Sequence, residues 1–248
     1  MLNEERRQSI QEILTKKERI LVKDISMTFN ISEVTVRKDL KMLEKRGLLS
    51  RVHGGAILNR SYVTDLALTE KERIHAKEKE RIAQRAEQMI ESGDVIILDS
   101  GSTTTRLARR IKFKKAITVI TNAVNIATEL AASEISVILT GGTLREKSFS
   151  LVGPFAEDSL IKITADKLFL GVDGIDFEFG LTTPNLLEAK VNRIMMDAAA
   201  ESIVLADSSK FGKRSLGVIN KIKAVDNTNK SIGISPISSN PHWLTKYV

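Results

Sequence analysis

Apolar residues recur through the opening of the chain at the spacing of helices. Ile10, Ile13 and Leu14 fall on one side of a charged run over residues 4–14. After a break at TKKER, Val22, Ile25 and Phe29 repeat at intervals of three and four. The stretch NIS interrupts this pattern, and Ser32 is placed to N-cap a further helix. In that helix Val36, Leu40 and Leu43 share one face, and Gly47 is a natural stop. Two short helices joined by a tight turn match helix-turn-helix spacing. The run SRVHGGAIL, residues 50–58, then reads as strand, turn, strand, with Gly54 and Gly55 in the turn. That is a small wing, and Arg51 and His53, two apart, fall on one face of its first strand.

The pattern changes twice more. TEKERIHAKEKERIAQRAEQMIESGD, from Thr69, reads as one long charged helix; Ile74, Ile82, Ala83, Ala86, Met89 and Ile90 can bury part of it, and it is assigned no chemistry. Beyond it lie short β-branched runs: DVIILD, AITVITN, ISVILTGG, KLFLGVDGI and SIVLAD. Helical patterns over residues 103–111, 124–132, 155–163 and 186–200 separate most of them. Strands alternating with helices define an α/β domain, and continuous apolar strands fit a mainly parallel sheet covered on both faces.

The polar positions carry the candidate chemistry. The second helix of the pair presents Thr35, Arg37, Lys38 and Lys41 opposite its apolar face, with Ser32 at its start. A helix fits the major groove of B-DNA, where Thr35 would meet a base edge or thymine methyl, and Arg37 and Lys38 would meet guanine or phosphate. Arg51 and His53 on the wing are placed for the DNA backbone. The same helix face is equally readable as a solvated surface laced with ordinary i,i+4 pairs, and His53 as a structural residue. In the α/β region every strand ends in small or polar groups. Ligands of open α/β sheets bind beyond those carboxyl ends. DSGSTTT opens a helix, so backbone N–H groups there suit a phosphate, with hydroxyls from Ser102, Thr103 and Thr104 beside Asp99 and Gly101. It is no Walker A loop, because no Gly-Lys-Ser/Thr follows. Lys210 would neutralise a phosphate or carboxylate. Glu188 would bind sugar hydroxyls and Arg193 would clamp charge; for both, a salt bridge within the protein is an equal alternative.

Composition narrows the classes. The 248 residues are 42% hydrophobic, enough for one large or two modest cores. No apolar run is long enough to span a membrane, and the charged opening MLNEERRQSIQEIL reads as no secretory signal. The absence of cysteine removes disulfides and thiolate chemistry, and suits a reducing cytoplasm. The three histidines lack the spacing of metal ligands or of a nucleophile's partner, so no metal, redox or other cofactor is expected. A net charge of +7 favours an anionic partner without naming it.

The segments RRQSIQEIL and DISMTFNISEVTVRKDLKMLEKRGLLSRVHGGA resemble the winged-helix signature of the DeoR family of bacterial transcriptional regulators. DSGSTTT, ILTGGTLREKSFSLVGPFAEDSL, DKLFLGVDGID, GLTTPNLLEAKVNRIM and IVLADSSKFG resemble the family's effector domain. The resemblance covers about nine-tenths of the chain. It implies a domain related to ribose-5-phosphate isomerase and coenzyme A transferase folds that senses a phosphorylated sugar or related metabolite. It carries Asp99, Ser102, Thr103, Thr104, Asn122, Gly142, Glu188 and Lys210 over as effector-binding candidates, to which the reading of the strand ends and the helix after GLTTPN adds Gly101, Gly141, Asp173 and Arg193. The wording GVDGID and GLTTPN is similar to members governing amino-sugar or other carbohydrate catabolism. One stretch departs from the family: NTNKSIGISPISSNPHWLTKYV replaces the expected closing strand and helix, so the sheet is expected to lack an edge strand.

The expected organisation is therefore a winged helix-turn-helix over residues 1–58, a linker over 59–75, an α/β effector domain over 76–226, and an atypical tail over 227–248, disordered or frameshifted. The expected function is a cytoplasmic repressor of carbohydrate-catabolism genes. Its partners would be double-stranded operator DNA and a phosphorylated sugar that releases it. A homo-oligomer, dimer or tetramer, is expected because such repressors read repeated half-sites. The alternative is a sugar-phosphate isomerase, with Asp99 or Glu188 as general base and Lys210 stabilising charge.

Overall fold

The computed structural model describes residues 3–45, 49–58, 63, 65–176, 178–222 and 232–234. The first domain runs α1 (Asn3–Lys17), β1 (Arg19–Leu21), α2 (Val22–Phe29), α3 (Glu33–Lys45), β2 (Leu49–Val52) and β3 (Gly55–Leu58). Its core collects the residues marked by helical spacing, Ile10, Leu14, Val22, Ile25, Val36, Leu40 and Leu43, together with Ile20, Leu49 and Ala56. Gly47, the expected helix stop, lies outside the described residues.

Two details differ from the sequence reading. TKKER does not end α1 at Leu14; the helix continues to Lys17, and Arg19–Leu21 then adds a strand, making a three-stranded antiparallel sheet in the order β1-β3-β2. The wing turn is His53–Gly54, with Gly54 at φ +76, while Gly55 already belongs to β3 and pairs with Leu21. Gly55 serves close approach instead: a Cβ there would lie 2.1 Å from the Ile20 carbonyl oxygen.

The charged connector is two helices, α4 (Leu68–Arg73) and α5 (Ala76–Glu87), not one. His75 between them adopts φ 52, outside helical geometry, and Ile74 is exposed. Then follow β4 (Val95–Leu98), α6 (Ser102–Ile111), β5 (Thr118–Thr121), α7 (Val124–Leu130), β6 (Ser136–Leu139), β7 (Thr143–Arg145), β8 (Ser150–Val152) and α8 (Pro154–Ile161). The chain continues through β9 (Ala165–Gly171), β10 (Gly174–Asp176), β11 (Gly180–Thr183), α9 (Leu186–Ala198), β12 (Ala199–Leu205), β13 (Gly217–Asn220) and β14 (Ile232–Ile234). The main sheet is six-stranded in the order β14-β12-β9-β4-β5-β6, and all its pairings are parallel.

Successive side chains of each strand enter opposite layers. Ile96 and Leu98 pack with α5, α6 and α7, whereas Ile97 packs with α8 and α9. The expected α/β sandwich is therefore present. The missing edge is not: Ile232–Ile234 pairs parallel with Ser202–Val204 and supplies β14. Strand order reverses direction between β4 and β9, so the connections leaving their carboxyl ends run to opposite faces of the sheet and leave a crevice there.

The two domains touch. The N–H of Val63 donates to the Arg214 carbonyl at 2.9 Å, and Leu216 packs against the core of the first domain.

Candidate functional site

The first domain offers one polar face. Ser32 caps α3 as its sequence position suggests: its Oγ accepts the Thr35 N–H at 3.2 Å and lies 2.9 Å from the Thr35 hydroxyl. Lys38 and Lys41 are exposed on α3. Arg37 is also exposed but pairs with Glu33 one turn back, at 2.8 Å. Arg51 is held rather than free. Its backbone N–H and guanidinium both reach Glu44, at 2.9 and 2.6 Å, and they hold the Glu44 carboxyl below its ordinary range, the backbone bond first. This clamp fixes the wing against α3. His53 is exposed in the turn, not on the strand face expected to carry it with Arg51.

Sequence reasoning missed Asp39. It reads as a charge on the polar side of α3, yet it is 1% exposed and takes the Nε–H groups of Arg6 and Arg7 at 2.7 and 2.8 Å. The pair ties α1 to the back of the candidate reading helix.

The second domain has a cavity at the crevice between β4 and β9. Asp99, Gly101, Ser102 and Thr103 line one side; Asp173, Glu188 and Lys210 line others. Asn122, Gly141, Gly142, Thr104 and Arg193 do not line it. Asn122 is fully buried and donates to the Leu151 carbonyl at 3.2 Å. Gly142 sits where a Cβ would meet the Val152 carbonyl oxygen at 2.8 Å, and Gly141 turns the chain at φ +74. These three support the β7–β8 hairpin. Thr104 returns its hydroxyl to the Gly101 carbonyl at 2.9 Å. Arg193 is on the surface beside Asn220 and Asp197. The reason is topological: Asn122, Gly141 and Gly142 follow β5 and β6, away from the reversal point, Arg193 is on the outer side of α9, and Thr104 is turned into the protein.

Four further groups at the cavity had no signal in the sequence: Lys71, Lys79, Lys147 and Asn192. The first two come from the connector that was assigned no chemistry. Lys79 is buried, and its ammonium is pushed down to about 8, by burial first and the Lys210 charge second, with Asp207 opposing and Arg106 and Lys71 adding to the fall. It lies in a cationic cluster near the first turn of α6, where the N–H groups of a helix N-terminus favour an anion. Opposite is an acidic group. The Asp99 carboxyl is pushed well up, by burial first and the Glu188 charge second, while accepting the Gly171 N–H at 3.1 Å. Asn192, turned with its amide nitrogen inward, donates to Asp99 at 3.1 Å. Burial also pushes Asp173 upward, but Lys71 at 2.7 Å and Lys210 overcome it and keep that carboxyl low. Glu188 starts α9 under an Asn185 cap and accepts the hydroxyls of Ser148 and Ser150 at 2.5 and 2.8 Å. Cations on one side and hydrogen-bonding carboxylates on the other suit a polyhydroxylated anion. Among the described residues no group of histidine and carboxylate side chains has the arrangement of a metal site.

A winged helix with a free basic face, joined to an α/β domain with a polar cavity, defines a ligand-responsive DNA-binding regulator. Residues 6–62 match the DeoR-like helix-turn-helix domain, and residues 74–228 match the DeoR C terminal sensor domain. The chain is 38% identical to the HTH-type transcriptional regulator GlpR of Haloferax volcanii, covering 91% of this chain and 89% of that protein. It is 38% identical to the putative aga operon transcriptional repressor of Escherichia coli O157:H7, covering 90% and 84%. D-ribose-5-phosphate isomerase in complex with phospho-erythronic acid aligns with a TM-score of 0.42 at 20% identity, over 55% of this chain and 54% of that one. The chain belongs to the DeoR family of DNA-binding transcriptional regulators. The isomerase alternative is not supported, because the matched family and relatives are regulators. No described helix is long and apolar enough to cross a membrane.

Proposed function

We propose that this protein represses genes of carbohydrate use and that a phosphorylated sugar, bound in the crevice between β4 and β9, lowers its affinity for operator DNA. The observation that carries the reading is the placing of Lys79: a buried ammonium that lines the cavity with Lys71, Lys147 and Lys210, and with Ser102 and Thr103 of the α6 N-terminus, under the repulsion of its fellow cations. A dianionic phosphate there would relieve that repulsion and accept the N–H groups of Ser102 and Thr103. Asp99, Asp173 and Glu188 would receive the sugar hydroxyls. A relative named the lactose phosphotransferase system repressor of Streptococcus mutans, 33% identical over 86% of this chain, supports a role in carbohydrate use. Thr35, Lys38 and Lys41 would face the major groove, with His53 at the backbone. The protein would act in the cytoplasm as a homo-oligomer, since paired reading helices read paired half-sites.

A thermal-shift panel of phosphorylated sugars and amino sugars, each beside its unphosphorylated parent, tests this. A phosphorylated member raises the melting temperature by mass action, and the parent sugar does not. A flat panel from a cooperatively melting protein would overturn the reading.

A further inference from the structure

We propose that residues 65–73 form a strap across the cavity, that the effector displaces it, and that this displacement is what the DNA-binding domain senses. The proposal rests on the anion-binding reading above and adds its regulation.

Several ties hold the strap down. The Asp65 carboxylate pairs with Arg145 and lies 3.6 Å from the Lys147 ammonium. The Leu68 N–H donates to the Lys147 carbonyl at 2.7 Å. Lys71 is gripped twice: its ammonium sits 2.7 Å from Asp173, and its carbonyl accepts the Lys79 ammonium at 2.5 Å. Farther along, the Glu72 carbonyl accepts from Arg106 at 3.2 Å and its carboxylate from Arg109 at 3.3 Å, away from Asp173.

The partners of the strap are the groups a ligand needs. Asp173, Lys79 and Lys147 all line the cavity, and Arg145 reaches Glu188 on its wall at 3.1 Å. An anion at Ser102 and Thr103 draws the Lys79 ammonium from the Lys71 carbonyl. A hydroxyl on Asp173 competes with the Lys71 ammonium. With the strap docked, Leu66, Leu68 and Lys71 wall a cavity of about 50 Å³. Ligand and docked strap therefore compete for Asp173 and Lys79.

The strap also leads to the first domain. Val63, just before it, bonds the Arg214 carbonyl, and Leu216 in the same loop packs on the first-domain core. Lys210, at the start of that loop, lines the cavity. Releasing the strap loosens the segment that carries the wing, and the two events are linked in free energy.

Amide hydrogen exchange on the full chain, in potassium phosphate and in potassium chloride at equal ionic strength, tests the strap. The expected result is slower exchange over residues 101–105 with phosphate and faster exchange over residues 66–73. Slower exchange at 101–105 with residues 66–73 unchanged or slowed would overturn the strap and leave the anion site standing. No change at 101–105 would fail the anion reading, and the strap with it. Asp65→Asn supplies a second readout, because Asp65 does not line the cavity. Freed of its competitor, phosphate should bind this variant roughly fivefold more tightly. Equal affinity would overturn the proposal.

Discussion

The two domains place charge in opposite ways. In the first, the exposed cations stand in water on one helix face, and a buried carboxylate, Asp39, sits behind them to hold the helix in place. In the second, Lys79, Asp99, Asp173 and Glu188 are all buried, and burial perturbs the first three. A surface that reads DNA needs long-range attraction without a shape change, so exposed lysines suffice. A cavity that must respond to a small anion needs groups whose interactions change when it arrives, and burial provides that sensitivity.

Removing the buried carboxylate has the largest effect. Asp39→Ala removes the buried carboxylate that Arg6 and Arg7 share, and should cost about 3 kcal/mol of first-domain stability. A melt of the variant checks this, with loss of DNA binding as a consequence and ligand binding by the second domain preserved. Lys79→Met comes next. Losing a charge-assisted bond to phosphate should weaken sugar-phosphate binding roughly tenfold to hundredfold in calorimetry.

The pH response of Lys79 has a definite sign. Its pKa falls from 10.5 to about 8 on folding. Between those values the unfolded chain keeps a proton that the folded chain has lost, so its contribution to the stability of the free protein rises with pH from about 8 to 10.5. Phosphate affinity runs the other way and falls as pH climbs past about 8, where the ammonium is lost. Calorimetry across that range, in buffers of different ionisation enthalpy, should record proton uptake on binding near pH 8.

The smallest effects belong to single surface cations. Lys38→Ala or Lys41→Ala should each flatten the slope of log affinity against log salt by about 0.9. Thr35→Ala should shift sequence preference with little change in that slope. Arg51→Ala should weaken binding to all sequences, partly by freeing the wing from Glu44.

What could be read from the sequence follows the same division. Helical spacing alone placed Val36, Leu40 and Leu43 in the core and left Lys38 and Lys41 outside, because a local period decides which face is wet. Asp39 reads as one more charge tempering that polar face because its partners are Arg6 and Arg7, more than thirty positions earlier. Gly55 was read as a turn residue because its true constraint, the Ile20 backbone, belongs to a strand that three residues hardly announce. Around the cavity, residues after β4, β9 and β12 were found from strand ends, but which ends converge depends on strand order. Asn122 and Gly142 were therefore grouped with the site although they brace a hairpin. Lys71 and Lys79 were passed over because a lysine in a charged helix gives no sign of being folded inward.

The most direct test of the central claim is operator affinity with and without a sugar phosphate. DNA selected from a random pool by the full protein would be titrated by fluorescence anisotropy, alone and with the saturating sugar phosphate found in the thermal-shift panel. Affinity should fall roughly tenfold or more with the ligand, and Lys79→Met should bind DNA equally well with or without the same ligand concentration. Equal operator affinity of the unaltered protein in the presence and absence of saturating ligand would contradict the account.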